Sequence, residues 1–148
     1  MTRSWLDLVA GPASAARQAA LAGWGLCWLR VTTGLLMLVF HGWPKLQNFG
    51  DLSGRFADPL GVGSAASLTL AVFAEFFCSL ALILGLATRL AAVPLVITML
   101  VAAFIVHADD PWSRQEFPLL YALGFVAVAI GGAGKASLDG WLRRRRGE

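Results

Sequence analysis

Residues 65–86 read AASLTLAVFAEFFCSLALILGL, an apolar run interrupted by one ionisable side chain, Glu75. Coiled as an α-helix, a run of this length rises about 33 Å, enough to cross the roughly 30 Å hydrocarbon layer of a bilayer. The run lacks the strict alternation of a barrel strand, and a helix satisfies its own backbone polar groups in lipid. Outward from it lie three more apolar runs, at about 22–43, 90–107 and 117–134. Four such runs predict an all-α integral membrane four-helix bundle, one membrane domain over 1–148. Composition agrees: the chain is 57% hydrophobic and 14% charged, with a mean hydropathy of +0.68, too apolar for an ordinary soluble domain. The runs at 90–107 and 117–134 are short for a span, so little tilt is expected of them. Gly34, Gly85 and Gly124 suit close helix approach, and Pro94 falls near the start of its run, where it costs little.

The flanks complete the plan. Trp5, Leu6, Leu8 and Val9, ahead of Pro12, read as part of an interfacial N-terminal segment over 1–20. A cleaved signal peptide fits less well, because the apolar stretch after Arg3 is short and broken by Asp7. Between the first two spans, Leu46, Phe49, Leu52 and Phe56 recur at helical spacing and predict an amphipathic loop helix over about 46–57, a lid over the site or simply a filler between span ends. A basic tail occupies 135–148.

Four spans put both termini and the turn between spans two and three on one side. That side carries eight basic residues, Arg3, Arg17, Arg89, Lys135 and Arg143 to Arg146, against Lys45, Arg55 and Arg114 on the other. The imbalance predicts cytoplasmic N- and C-termini. The arginine run is expected to sit in anionic headgroups, and nothing else in the chain supports nucleic acid as a partner.

Arg30 and Glu75 fall inside spans, where a lone charge costs at least ~2.5 kcal/mol. Counted from the outer ends of their helices, both lie about 15 Å deep, so the two are expected to pair. Such a pair either glues the helices in register or belongs to a binding pocket. Eleven residues, about three turns, separate Arg30 from His41, placing both on one face with Gly34 and Leu38 between. His41, Lys45, His107, Glu116 and Tyr121 would then form an outer cluster above Arg30 and Glu75, one continuous polar cleft. By the same antiparallel count Cys27 and Cys78 should lie close together, as inert packing residues or as a redox pair.

The pieces Leu29-Arg30, His41-Gly42-Trp43-Pro44-Lys45-Leu46, Glu75 followed by Leu84-Gly85-Leu86-Ala87-Thr88-Arg89-Leu90-Ala91-Ala92, then His107 and Glu116-Phe117-Pro118-Leu119-Leu120-Tyr121, resemble the DoxX family in order and spacing over about 29–139. The resemblance implies a multi-pass protein of the bacterial inner membrane with a redox connection: a subunit working with a partner oxidoreductase, or a non-catalytic scaffold or assembly factor. Quinone is the cofactor this leaning suggests. Arg30, His41 and His107 could donate to its carbonyl oxygens and Glu75 could relay protons, the four forming the candidate catalytic set. Candidate cofactor contacts are Arg30, His41, Trp43, Lys45, Glu116 and Tyr121, although aromatic rings in membrane helices more often face lipid or fill the core. No metal site is expected, since no Cys or His spacing repeats, and two interfacial histidines are slender support for haem. Gly61-x-Gly63 and Gly131-Gly132-Ala133-Gly134 lack the strand and helix context of nucleotide loops. A transporter is disfavoured, as one four-helix unit shows no inverted repeat. Self-association as a homo-oligomer stays open.

Overall fold

The computed structural model describes residues 15–147, all-helical with no strand among them. Most of the expected interfacial segment and the signal-peptide alternative fall on residues 1–14, outside the described residues, while Ala15 to Ala20 open the first helix. That helix, α1, runs Ala15–Gln47, with a π-helical turn at Leu38–Gly42 before its last stretch, Trp43–Gln47. A single turn, α2, follows at Phe49–Leu52. Helix α3 spans Ser64–Leu84 with a π-turn at Phe73–Cys78, and α4 spans Thr88–Val106, ending in a π-turn at Ala102–Val106. Helix α5 is Trp112–Gly131 and α6 is Leu138–Arg146.

Helices α1, α3 and α4 are long and apolar enough to cross a membrane. Helix α5 is 20 residues long and begins with Arg114 and Glu116 in its first turns. The long helices share one core, built from Met37 of α1, Ala74, Cys78 and Leu82 of α3, Ala92, Leu95 and Met99 of α4, and Ala122, Phe125 and Val128 of α5. Their outer faces are apolar as well: Trp28 is 77% exposed, Leu90 73% and Ile130 73%. In water such a surface would drive aggregation; in lipid it is the expected outside.

Two helix ends are set by backbone chemistry. Gly85 closes α3 at φ +69°, a left-handed conformation that a glycine adopts without Cβ strain. Asp139, from α6, then accepts the backbone N–H groups of Ala87 and Thr88, both at 2.8 Å, and so caps the start of α4 from a distant part of the chain.

The loop after α1 differs from expectation. Leu46 belongs to α1, Asn48 leaves helical dihedrals (φ −102°, ψ 24°), and only Phe49–Leu52 of the expected 46–57 helix forms. The connection is instead fastened by Asp58, whose carboxylate accepts from Ser67 Oγ at 2.7 Å and from the N–H groups of Gly63 and Val62 at 2.8 and 3.0 Å. The Ser67 hydroxyl, followed by those N–H groups, holds the Asp58 carboxyl below the usual carboxylate range.

The packing register of α1 on α3 decides where the charges go. A Cβ added at Gly42 would lie 2.4 Å from the carbonyl oxygen of Glu75, and one added at Gly34 would lie 3.1 Å from Ile83 and 3.3 Å from the Ser79 carbonyl oxygen. Gly42 is therefore level with Glu75, and Gly34 with the last turns of α3. Arg30 sits lower still, beside Gly85, whose added Cβ would lie 2.9 Å from the guanidinium.

Candidate functional site

The expected Arg30–Glu75 pair does not form. Arg30 lies twelve residues along α1 from the Gly42–Glu75 crossing, about 18 Å of helix, because α1 continues past His41 to Gln47 and slides the whole register. The guanidinium, 0% exposed, is spent on main-chain oxygens: Nε donates to Ala133 O at 3.0 Å, Nη1 to the carbonyls of Leu82 and Ile83 (2.8 Å to the latter), and Nη2 to Ala136 O at 3.1 Å. Leu82 and Ile83 stand in the last turn of α3, at the negative end of the helix dipole, and the Leu82 carbonyl also accepts the Gly85 N–H at 2.9 Å. A buried cation there needs no carboxylate. Nη2 also lies 3.8 Å from the Cys27 sulfur.

The same slide separates the cysteines. Cys27 stays beside Arg30, whereas Cys78 packs in the core with Met37, and both are free thiols. The redox-pair expectation placed them at one level, which the same shift of about twelve residues, some 18 Å, removes.

A second polar centre forms at the crossing of α1, α3 and α5. Lys45 Nζ reaches Glu75 Oε2 at 2.5 Å; the Lys45 side chain is 22% exposed and that of Glu75 only 5%. Both act electrostatically on His41, one turn before Lys45. The His41 ring meets Tyr121 edge-on at 5.6 Å and Phe117 at 6.4 Å between centroids, and Tyr121 stacks on Phe125 at 6.0 Å. Its Nδ1 is shut off from solvent and has no partner in hydrogen-bond geometry, although the Leu36 carbonyl is near. The π-turns of α1 and α3 meet here, and their irregular hydrogen bonding is a frequent mark of functional positions. Gly42 makes the contact, since any side chain there would strike the Glu75 backbone.

Of the sequence candidates, the fold gathers His41, Lys45, Glu75 and Tyr121 in this centre. Trp43 lies outside it, stacked on Phe76 at 6.0 Å. His107 sits apart in the α4–α5 turn, with Nδ1 2.7 Å from Asp110, which also takes Arg114 at 3.7 Å. The hydrogen bond from His107, then the Arg114 charge, holds the Asp110 carboxyl low. Glu116 is exposed near the start of α5. The continuous cleft from Arg30 to His107 is thus replaced by an inner knot around Arg30, a crossing centre around Glu75 and a surface ion cluster around Asp110. Sequence reading missed Asp139 and Ser137, which close the inner knot: Asp139 caps α4, and a Cβ at Gly85 would lie 2.5 Å from Ser137. Their signal was slight, a Ser-x-Asp lost in a basic tail.

Comparison with known proteins supplies the remaining context. The DoxX family model matches residues 25–108. Two proteins of Haemophilus influenzae (strain ATCC 51907 / DSM 11121 / KW20 / Rd), both described only as "Uncharacterized protein", are similar. One is 28% identical over 80% of this chain and 79% of its own length, the other 32% identical over 77% and 87%. No solved structure matches.

Proposed function

The chain belongs to the DoxX family of small membrane proteins, and from that premise we propose a four-span protein of the bacterial inner membrane that binds the polar head of a quinone at the His41–Glu75 centre and serves a partner oxidoreductase. Helix α5 is the fourth span in this reading. Its Ala122, Phe125 and Val128 enter the common core while Leu123 and Ile130 face outward, and 20 residues reach about 30 Å. The excess of basic residues around both ends and the α3–α4 turn supports cytoplasmic termini.

The observation that carries the site is His41 Nδ1, enclosed and without a partner, next to a buried Lys45–Glu75 pair. A buried ring nitrogen without a partner costs free energy that a bound carbonyl or hydroxyl oxygen would recover. Bound quinone would supply two-electron redox chemistry. The chain's own part is to orient the head against Tyr121 and Phe117, to offer a proton at His41, and to exchange it through Glu75, whose charge Lys45 balances. The test is quinone extraction from purified protein: wild type should carry it and His41→Leu should lose most of it while keeping its helix content. Equal, trace amounts in both would reject the site.

A scaffold or assembly role is the second reading, favoured by Arg30. Its donors are all engaged within the protein, a device for fixing helix register rather than for binding. If His41→Leu leaves the partner enzyme's activity intact and only Arg30 variants abolish it, the scaffold role stands.

A further inference from the structure

The face opposite the Lys45–Glu75 centre carries an open cavity of about 470 Å³ between the start of α4 and helix α6. Arg89, Arg143 and Arg146 line it, with Leu90 and Leu142 beside them. The opposing charge there, Asp139, is already engaged by the N–H groups of Ala87 and Thr88. None of the three arginines forms an ion pair among the described residues. Arg89 also lies against the chain reversal after α5: a Cβ at Gly132 would be 3.3 Å from its Nε.

We propose that this cavity binds the phosphate of an anionic phospholipid headgroup. Three guanidinium groups against one carboxylate leave a net cationic pocket even with the Asp139 charge set against Arg143, and guanidinium recognises phosphate by paired N–H donors. A free phosphate would satisfy the same chemistry, but the rim favours lipid. Leu90 is 73% exposed and Leu142 38%, and both flank the arginines where acyl chains would continue from the headgroup. Helix α6 is placed for this by its own cap: Ser137 Oγ accepts from Gly140 N at 3.1 Å, and Arg145 lies over the Trp141 ring at 3.9 Å, away from the lining set. The site does not depend on what the His41 centre binds.

The test is native mass spectrometry of the full chain in detergent, titrated with phosphatidylglycerol, with phosphatidylcholine, or with inorganic phosphate. Wild type should retain one phosphatidylglycerol in preference to phosphatidylcholine. Arg89→Gln with Arg146→Gln should weaken it about 25-fold, at roughly fivefold per arginine. Arg144→Gln with Arg145→Gln, which removes the same charge outside the cavity, should change it less than threefold. Equal losses in the two double variants would mean diffuse attraction to the tail and overturn the proposal. So would equal retention of the two lipids, or saturation by inorganic phosphate with no lipid retained. Circular dichroism of each variant separates these outcomes from misfolding.

Discussion

Gly42 lies against the backbone of Glu75 so closely that a methyl group on it would sit 2.4 Å from the Glu75 carbonyl oxygen. Backbone cannot yield as a flexible side chain can, so Gly42→Ala should push α1 from α3 and lengthen the Lys45–Glu75 contact. A loss of about 1–3 kcal/mol is expected from such overpacking. Thermal unfolding in detergent, followed by tryptophan fluorescence, reads it; an unchanged midpoint would refute the close crossing. Gly50, with open space around it, is the control position.

Lys45→Met should cost more than removal of the whole pair. Glu75 would be left buried without its partner, at a penalty of about 3–5 kcal/mol, whereas the double variant Lys45→Met with Glu75→Leu should recover most of it. Chemical denaturation of the two variants decides the point. A double variant less stable than Lys45→Met would show that the pair contributes net stability.

Arg30→Lys should behave almost as badly as Arg30→Ala. A lysine offers one nitrogen where the fork now meets carbonyls from two separate segments, at Leu82 and Ile83 and at Ala133 and Ala136. With hydrogen bonds to charged groups at about 1.5–3 kcal/mol each, the loss of two or more should exceed 3 kcal/mol. Full retention of stability by the lysine variant would contradict the fork.

Asp139 makes stability depend on acidity. Burial pushes its carboxyl upward, but the Thr88 and Ala87 N–H groups, with the Arg143 charge, outweigh burial, so the folded pKa lies below the ordinary value. Its contribution is complete above the unfolded value of about 3.9 and disappears as pH falls through the folded one. Wild type should therefore exceed Asp139→Asn in melting temperature at pH 7, and the gap should shrink below about pH 4. A gap of constant size across that range would exclude the linkage.

The helices were legible because lipid imposes length and apolarity directly on the chain, so Leu-, Val- and Phe-rich runs around Glu75 and Pro94 declare themselves. What could not be read was register. The expected pairing assumed that α1 ended near His41 and that a buried arginine needs a carboxylate. In fact α1 runs on through Pro44 to Gln47, and helix-end carbonyls serve Arg30. No local pattern announces main-chain acceptors, since every residue carries one. His41, Lys45 and Tyr121 were expected at one end of the molecule and do meet there, but Glu75, expected deeper beside Arg30, joins them instead; Arg30 was tied to His41 by a periodicity that the π-turn breaks, and His107 and Glu116 by sharing the outer surface.

The buried face of α1 passes through Arg30, Gly34 and Met37, then falls on Gly42 where an unbroken helix would bring round residue 41. The π-turn at Leu38–Gly42 is thus a one-notch winding offset of about 100° between the two halves of a single rod. It lets the lower half aim an arginine at a carbonyl nest while the upper half turns its glycine flat against a neighbour and swings an imidazole toward α5. Take out that notch, and the rod can satisfy either end of the molecule but not both.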